Sequence, residues 1–239
     1  NIPLGDVQGG EICGSIDEKV RHAVRKFANY HFVASEKARE RVIKMGEDPD
    51  SVFITGCPSI DLAHAVLSSN NKFRSDIFRR HGVGPEIDID QPFLIVMQHP
   101  VTTQYEKARE QIYVTLSAIA ELKIPAIWFW PNVDAGSDGV SKGIRVFREH
   151  NHIPFIHFFI NLPPEDFLYL LRGCACIVGN SSVAIREASY LGTPAVNIGS
   201  RQQGRDRGLN IVDVDHEKDR IKKAILEQVE HGPYPSSDL

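Results

Sequence analysis

Short apolar runs alternate with stretches of helical periodicity along nearly the whole chain, which restricts it to an α/β fold with a largely parallel sheet. Strand-like runs fall at residues 31–34, 52–55, 93–97, 126–130, 155–158, 174–178 and 195–198, with a last short one at 211–214. The first residues read as the end of a further strand. Helical patterns occupy residues 17–28, with Val20, Val24 and Phe27 on one stripe, and a second begins at a Ser35 cap and runs to about Met45. Others are expected near 105–122, 143–149, 164–172, 183–191 and 217–230. Residues 67–91 are polar and charged, with Gly82, Gly84 and Pro85 late in the stretch, and read as a connection. No solenoid-length repeat interrupts the series. Two Rossmann-like parallel-sheet units follow, an incomplete one over 1–66 and a second over 92–239, joined by the 67–91 linker.

Composition narrows the function. A formal charge of −4 over 239 residues gives no general attraction to nucleic acid or to an anionic membrane, so any phosphate binding has to be local. Each apolar run is far short of the roughly 20 residues that span a bilayer. No basic-then-apolar leader opens the chain, and a cytoplasmic protein is expected. Cys13, Cys57, Cys174 and Cys176 lack the spacing of a zinc or redox motif. Read as part of one strand, Cys174 and Cys176 share a face as packed free thiols. His150 and His152 flank Asn151 without a matching carboxylate, and a solvated loop is the expectation there.

In open α/β sheets, ligands bind beyond the carboxyl ends of the strands. Polar clusters follow the apolar runs in this chain: Gln98-His99-Pro100, Asn132 to Ser137, Gly179-Asn180-Ser181-Ser182, and Arg201-Gln202-Gln203-Gly204-Arg205. Ser181 and Ser182 at a helix start either present hydroxyls and free N–H groups to an anion or simply cap the helix. Glu187 is either an acceptor for ribose hydroxyls or a solvated helix carboxylate. Arg201 and Arg205 are either diphosphate ligands or surface cations. His99, held extended by the following proline, is either an active-site group or a structural cap.

These pieces together resemble one family, the UDP-N-acetylglucosamine 2-epimerases. The resemblance is carried by Gly9-Gly10-Glu11, Gly14-Ser15-Ile16-Asp17-Glu18, Arg21-His22-Ala23 and Gly56-Cys57-Pro58-Ser59. It continues through Gln98-His99-Pro100-Val101-Thr102-Thr103, Pro131-Asn132, Asp134-Ala135-Gly136-Ser137, Gly179-Asn180-Ser181-Ser182, Arg186-Glu187 and Gly192-Thr193-Pro194. The Asn-Ser-Ser variant and the run from Arg201 to Arg205 are similar to the hydrolysing branch, which releases a free N-acetylmannosamine-type sugar for sialic-acid-like pathways.

The resemblance implies a GT-B-like pair of Rossmann-like domains with UDP in the cleft, the second domain carrying most of the UDP surface. It implies a UDP-sugar substrate, no metal or other cofactor, no nucleic-acid or membrane partner, and a homo-oligomer for the full-length protein. His99 matches a histidine near the diphosphate, Ser181 and Ser182 match the phosphate contacts, and Asn180 beside them is a further expected UDP-sugar-binding residue. Glu187 matches the ribose contact and Arg201 the nucleotide-side arginine. Asn132, Asp134 and Ser137 match the loop near sugar and nucleotide, and Asp17 matches a catalytic carboxylate. One departure stands out. Where the family has His-x-Glu before Gly-Gly, this chain has Asp6-Val7-Gln8, and Gln8 cannot take a proton as a carboxylate does. Either Glu11, Asp6 or a group on another segment is then the base, or the reaction is slow, altered or absent. A further catalytic Asp and a nucleotide-binding arginine belong to the family's N-terminal part, so this chain alone is expected to be inactive.

Overall fold

Strands of a parallel sheet with both faces covered read as continuous apolar runs, and the chain folds accordingly. The computed structural model describes residues 2–12, 17–68 and 76–237. Cys13, Gly14, Ser15, Ile16 and the side chain of Asp17 lie outside the described residues. The first unit runs β1 (Gly5–Gly9), α1 (Asp17–Phe27), β2 (Tyr30–Val33), α2 (Glu36–Lys44) and β3 (Val52–Ile54). Its strands lie parallel in the order β1-β2-β3.

The chain continues through α3 (Pro58–Ser68), α4 (Ile77–His81), β4 (Gly82–Val83), β5 (Leu94–Met97), α5 (Ala108–Leu122) and β6 (Ala126–Phe129). Next come α6 (Ser137–His150), β7 (Ile156–Phe159), α7 (Pro164–Gly173), β8 (Cys176–Gly179) and α8 (Glu187–Leu191). The last elements are β9 (Ala195–Ile198), β10 (Ile211–Val214) and α9 (Lys218–His231). The second sheet has the order β10-β9-β8-β5-β6-β7-β4, parallel except for β4, which pairs antiparallel with β7. From β5 the chain winds outward through β6 and β7, then returns to place β8 on the other side of β5. The strand order therefore reverses between β5 and β8, the position at which open α/β sheets form a ligand crevice.

Alternation along these strands divides the core into two apolar clusters, one on each face of the sheet. Leu94, Val96, Ala126 and Trp128 point to one, packed with Ile112, Leu116 and Ile225. Ile95, Ile127 and Phe129 point to the other, with Phe93, Leu168 and Leu171. Each fully buried aliphatic or aromatic side chain contributes about 1.5–3 kcal/mol, so this sheet supplies the larger share of the apolar stabilisation.

The first sheet is thinner. Val33, Ala38, Val42 and Val52 close its only apolar cluster among the described residues, between the sheet and α2. Its other face leaves Val7, Tyr30 and Phe53 exposed. The expected apolar stripe of α1 does not pack either, since Val20, Val24 and Phe27 are all exposed. A polar anchor holds that helix instead. Arg25, 1% exposed, donates through Nε to Asp6 Oδ2 at 3.1 Å and through Nη1 to Met45 Sδ at 3.3 Å. His31, fully buried, stands between Asp6 and Glu47 at 3.8 and 3.4 Å.

Several expectations are revised. Residues 58–68 form α3, started by Pro58 at its first position, and Ala63 and Val66 pack into the second sheet's core. The boundary drawn at residue 66 thus falls inside a helix that belongs by packing to the second unit. The 67–91 stretch contributes an element to that unit as well, the edge strand β4. Cys174 caps α7 ahead of β8, so it packs in one apolar cluster and Cys176 in the other. Their thiols do not share a face. The helix expected over 183–191 is broken into a 3-10 turn at Ser182–Ala184 and α8, with Arg186 at φ −100, ψ −76 between them.

Candidate active site

The four loops beyond the parallel strands meet at the switch point. Gly179, at the end of β8, has φ +132, and a Cβ there would stand 2.1 Å from the Met97 carbonyl oxygen. Only glycine lets the β5 and β8 exits approach this closely. Asn180 then stitches the two loops together. Its Oδ1 accepts from the His99 backbone N–H at 2.7 Å, and its Nδ2 donates to the His99 carbonyl at 2.8 Å. A carboxamide matches that donor-and-acceptor pair, which neither a carboxylate nor an amine can do.

His99 is 4% exposed. Its Nδ1 accepts from the Asn132 backbone N–H at 3.2 Å, which leaves the ring proton on Nε2. Burial, with the charge of Arg201 adding, lowers its pKa from the ordinary 6.5 to about 4. The ring is therefore neutral near pH 7 and offers one Nε2–H donor. Arg201 Nη1 and Gln202 Nε2 both donate to the Asn180 carbonyl, at 3.2 and 2.8 Å. Arg201 Nη2 also pairs with Asp134 Oδ2 at 3.5 Å, tying the loop after β9 to the loop after β6. Ser137 opens α6, and its N–H donates to the Asp134 carbonyl at 3.0 Å. At Gly136, φ +94, a Cβ would meet Pro100 Cβ at 3.0 Å, so this glycine lets the loops after β5 and β6 close on each other.

Ser181 caps the 3-10 turn, its Oγ accepting from the Val183 N–H at 3.4 Å. A single 3-10 turn has little macrodipole, so what this turn offers is its free N–H and hydroxyl groups rather than the end of a long helix. Beyond the break, Glu187 is 7% exposed, with Oε1 3.6 Å from Arg186 Nη2. Its buried Oε2 has no hydrogen-bond partner among the described residues.

His99, Asn132, Asp134, Asn180 and Arg201 are thus directly linked, with Ser181 and Ser182 next to Asn180 and Ser137 and Glu187 opening the helices α6 and α8 that follow these loops. Gln8 and Glu11 are not in that cluster. They border a cavity of about 190 Å³ between the two sheets, together with Cys57, Ile60, Ile185 and Arg186. The turn from Ser182 to Glu187 joins the two regions. Asp6 is directed away from the cavity into its pair with Arg25, which removes it as a candidate base.

Arg186 was missed as a site residue. Its Nη1 donates to Gln8 Oε1 at 3.0 Å, across from one sheet to the other. Gln202 and Cys57 were also missed, the latter receiving the Gln8 Nε2–H at 3.0 Å. All three lie in quoted motifs, but nothing in their spacing reveals which distant loop each one contacts, least of all the reach of Arg186 from one sheet to the other.

The profile of the UDP-N-acetylglucosamine 2-epimerase family matches residues 1–236. The chain belongs to that family. It is 32% identical over 227 residues to a Legionella pneumophila protein named UDP-N,N'-diacetylbacillosamine 2-epimerase (hydrolyzing), covering 95% of this chain and 58% of that protein. To the polysialic acid biosynthesis protein P7 of Escherichia coli it is 31% identical over 229 residues, covering 94% of this chain and 56% of that protein. The chain therefore spans just over half the length of these curated relatives. Among solved structures, UDP-GlcNAc 2-epimerase from Neisseria meningitidis bound to UDP-GlcNAc aligns with TM-score 0.72 at 16% identity, over 96% of this chain and 62% of that one. The Methanocaldococcus jannaschii enzyme in complex with UDP-GlcNAc and UDP aligns with TM-score 0.69 at 16% identity, over 95% and 62%. Both likenesses establish the GT-B-like epimerase fold. No helix among the described residues is long and apolar enough to cross a membrane.

Proposed function

We propose that the polypeptide carrying this chain is a hydrolysing UDP-HexNAc 2-epimerase, converting UDP-GlcNAc or a related UDP-sugar to UDP and a free ManNAc-type sugar. The observation that carries this reading is the switch-point cluster, in which a neutral His99, the Asn180–Ser182 loop and Arg201 are joined by hydrogen bonds beyond the ends of β5, β8 and β9. His99 donates its Nε2–H to a diphosphate oxygen, Arg201 supplies positive charge, and Ser181 and Ser182 offer hydroxyl and backbone donors. Glu187 Oε2 accepts from the ribose. Asp134 holds Arg201 in place, and Asn132 fixes the histidine tautomer. Fixed donors aimed at a departing diphosphate stabilise the charge that develops as the carbon 1–oxygen bond breaks. Loss of the carbon 2 proton gives a glycal, and water then adds with the opposite configuration at carbon 2. The hydrolysing type is favoured by the name of the Legionella pneumophila relative.

Incubation with UDP-GlcNAc, and with its 4-amino-6-deoxy analogue, tests the reading. UDP with free sugar is expected from one of them. A UDP-ManNAc pool without free sugar would make the protein a non-hydrolysing epimerase. A second reading, a nucleotide-sugar-binding protein without catalysis, is favoured by Gln8 alone, and tight UDP binding without any product would select it.

A further inference from the structure

Removal of the carbon 2 proton needs a base, and the Gln8 carboxamide is not one. Its geometry gives it a different task. Gln8 has φ 60, one of two positive values outside glycine among the described residues, and it sits where the pairing of β1 with β2 slips. Both ends of its side chain are occupied, the oxygen by Arg186 and the nitrogen by Cys57, each at 3.0 Å. Arg186 reaches in the other direction to Glu187. One guanidinium thus ties position 8 to the carboxylate assigned to the ribose.

Among the described residues, Glu11, Asp61 and Asp206 are the carboxylates that border the same cavity as Gln8. Asp206 is taken up by Lys37 and Arg41, at 3.1 and 3.2 Å. Asp61 is exposed on the first turn of α3. Glu11 is half-buried, and no hydrogen bond or ion pair among the described residues engages its carboxylate. Its loop is nevertheless held on both sides. Arg41 Nη1 donates to the Gly10 carbonyl at 3.4 Å, and Arg205 Nε donates to the Ile12 carbonyl at 2.9 Å. A fixed backbone with an uncommitted carboxylate is what a general base requires.

We propose that Glu11 removes the carbon 2 proton, and that Gln8 and Arg186 act as the positioning pair that holds the Glu11 loop against the nucleotide side. This rests on the epimerase reading. In the step, a Glu11 oxygen forms the O–H bond as the carbon 2–hydrogen bond breaks. The released electron pair becomes the carbon 1–carbon 2 double bond, and UDP leaves with the electrons of the carbon 1–oxygen bond. Water then supplies hydroxyl to carbon 1 and a proton to the opposite face of carbon 2, and Glu11 returns its proton to solvent.

The test is turnover in D2O alongside UDP titration, with the polypeptide that carries this chain. Wild type is expected to release sugar bearing deuterium at carbon 2. Glu11→Gln is expected to lower turnover about 1000-fold while UDP affinity stays within about twofold. Should Glu11→Gln fail to bind UDP, Glu11→Asp serves, with UDP bound and turnover reduced about 100-fold. Glu11→Gln retaining more than about a tenth of wild-type turnover overturns the assignment, since general-base loss costs far more. So does wild-type turnover in Glu11→Asp, or a gain of about 100-fold in Gln8→Glu, which would put the base at position 8. Wild type that neither binds UDP nor releases sugar removes the epimerase reading itself, and this proposal with it.

Discussion

The two sheets of this molecule are built to different standards. Every strand of the second sheet from β5 to β9 is almost wholly buried, and apolar clusters cover both faces. The first sheet has one small apolar cluster, an uncovered face with Val7, Tyr30 and Phe53, and a helix held on by the buried Arg25–Asp6 pair. Loops on the thick sheet meet through their own backbone and through Asn180. The loop from Gln8 to Ile12 on the thin sheet is instead held by arginines, two of which, Arg186 and Arg205, come from the other unit. Packing therefore fixes the loops of one unit, and cations, two of them reaching across from the other unit, fix the loop of the thin one.

The contrast can be broken first through packing. Trp128→Ala empties a fully buried site in the thick sheet and is expected to cost about 3–5 kcal/mol in denaturant unfolding. Val33→Ala in the thin sheet removes two methyl groups and should cost about 2 kcal/mol. Equal losses would deny the difference in packing.

His99 sharpens the comparison through pH. Its pKa is about 4 in the folded chain against 6.5 for the free side chain, so between those values the unfolded state binds more protons. Stability contributed by the neutral ring is complete above about pH 6.5 and is lost as pH falls towards 4, by about 3 kcal/mol. Denaturation midpoints from pH 7.5 to 4.5 should show a slope that His99→Gln reduces.

Smaller effects follow at the crevice and across the cleft. Ser182→Ala should weaken UDP about five-fold, near 1 kcal/mol, without changing the unfolding midpoint. Lys37→Ala removes one partner of Asp206 from a pair that is mostly exposed. It should change stability by under about 1 kcal/mol, an effect that disappears at high salt.

Much of this was legible in the sequence. Continuous apolar runs gave the central strands β5, β6, β7 and β9 within a residue or two, because a doubly covered strand has no polar face to hide it. Polar clusters after those runs picked out the loops that meet at the switch point, since those loops all leave the carboxyl ends of parallel strands. Partnerships across units were not legible. Val20, Val24 and Phe27 form a regular apolar stripe, yet Arg25 makes the buried contact, because a charged pair outweighs spacing once Asp6 is in reach. The break at Arg186 was hidden by good helix formers around it, Ala184, Glu187 and Ala188. Helix α3 had its signal in Pro58, with Ala63 and Val66 spaced to one face, which the neighbouring Gly56 turn obscured.

Titration of UDP by calorimetry into wild type, His99→Ala, Arg201→Ala and the double variant bears most directly on the crevice. If both side chains grip one diphosphate, each single change weakens UDP by about 10-fold or more, and their free-energy effects are coupled rather than additive. Two single variants that bind UDP within about twofold of wild type would show that these loops meet for structural reasons and hold no nucleotide.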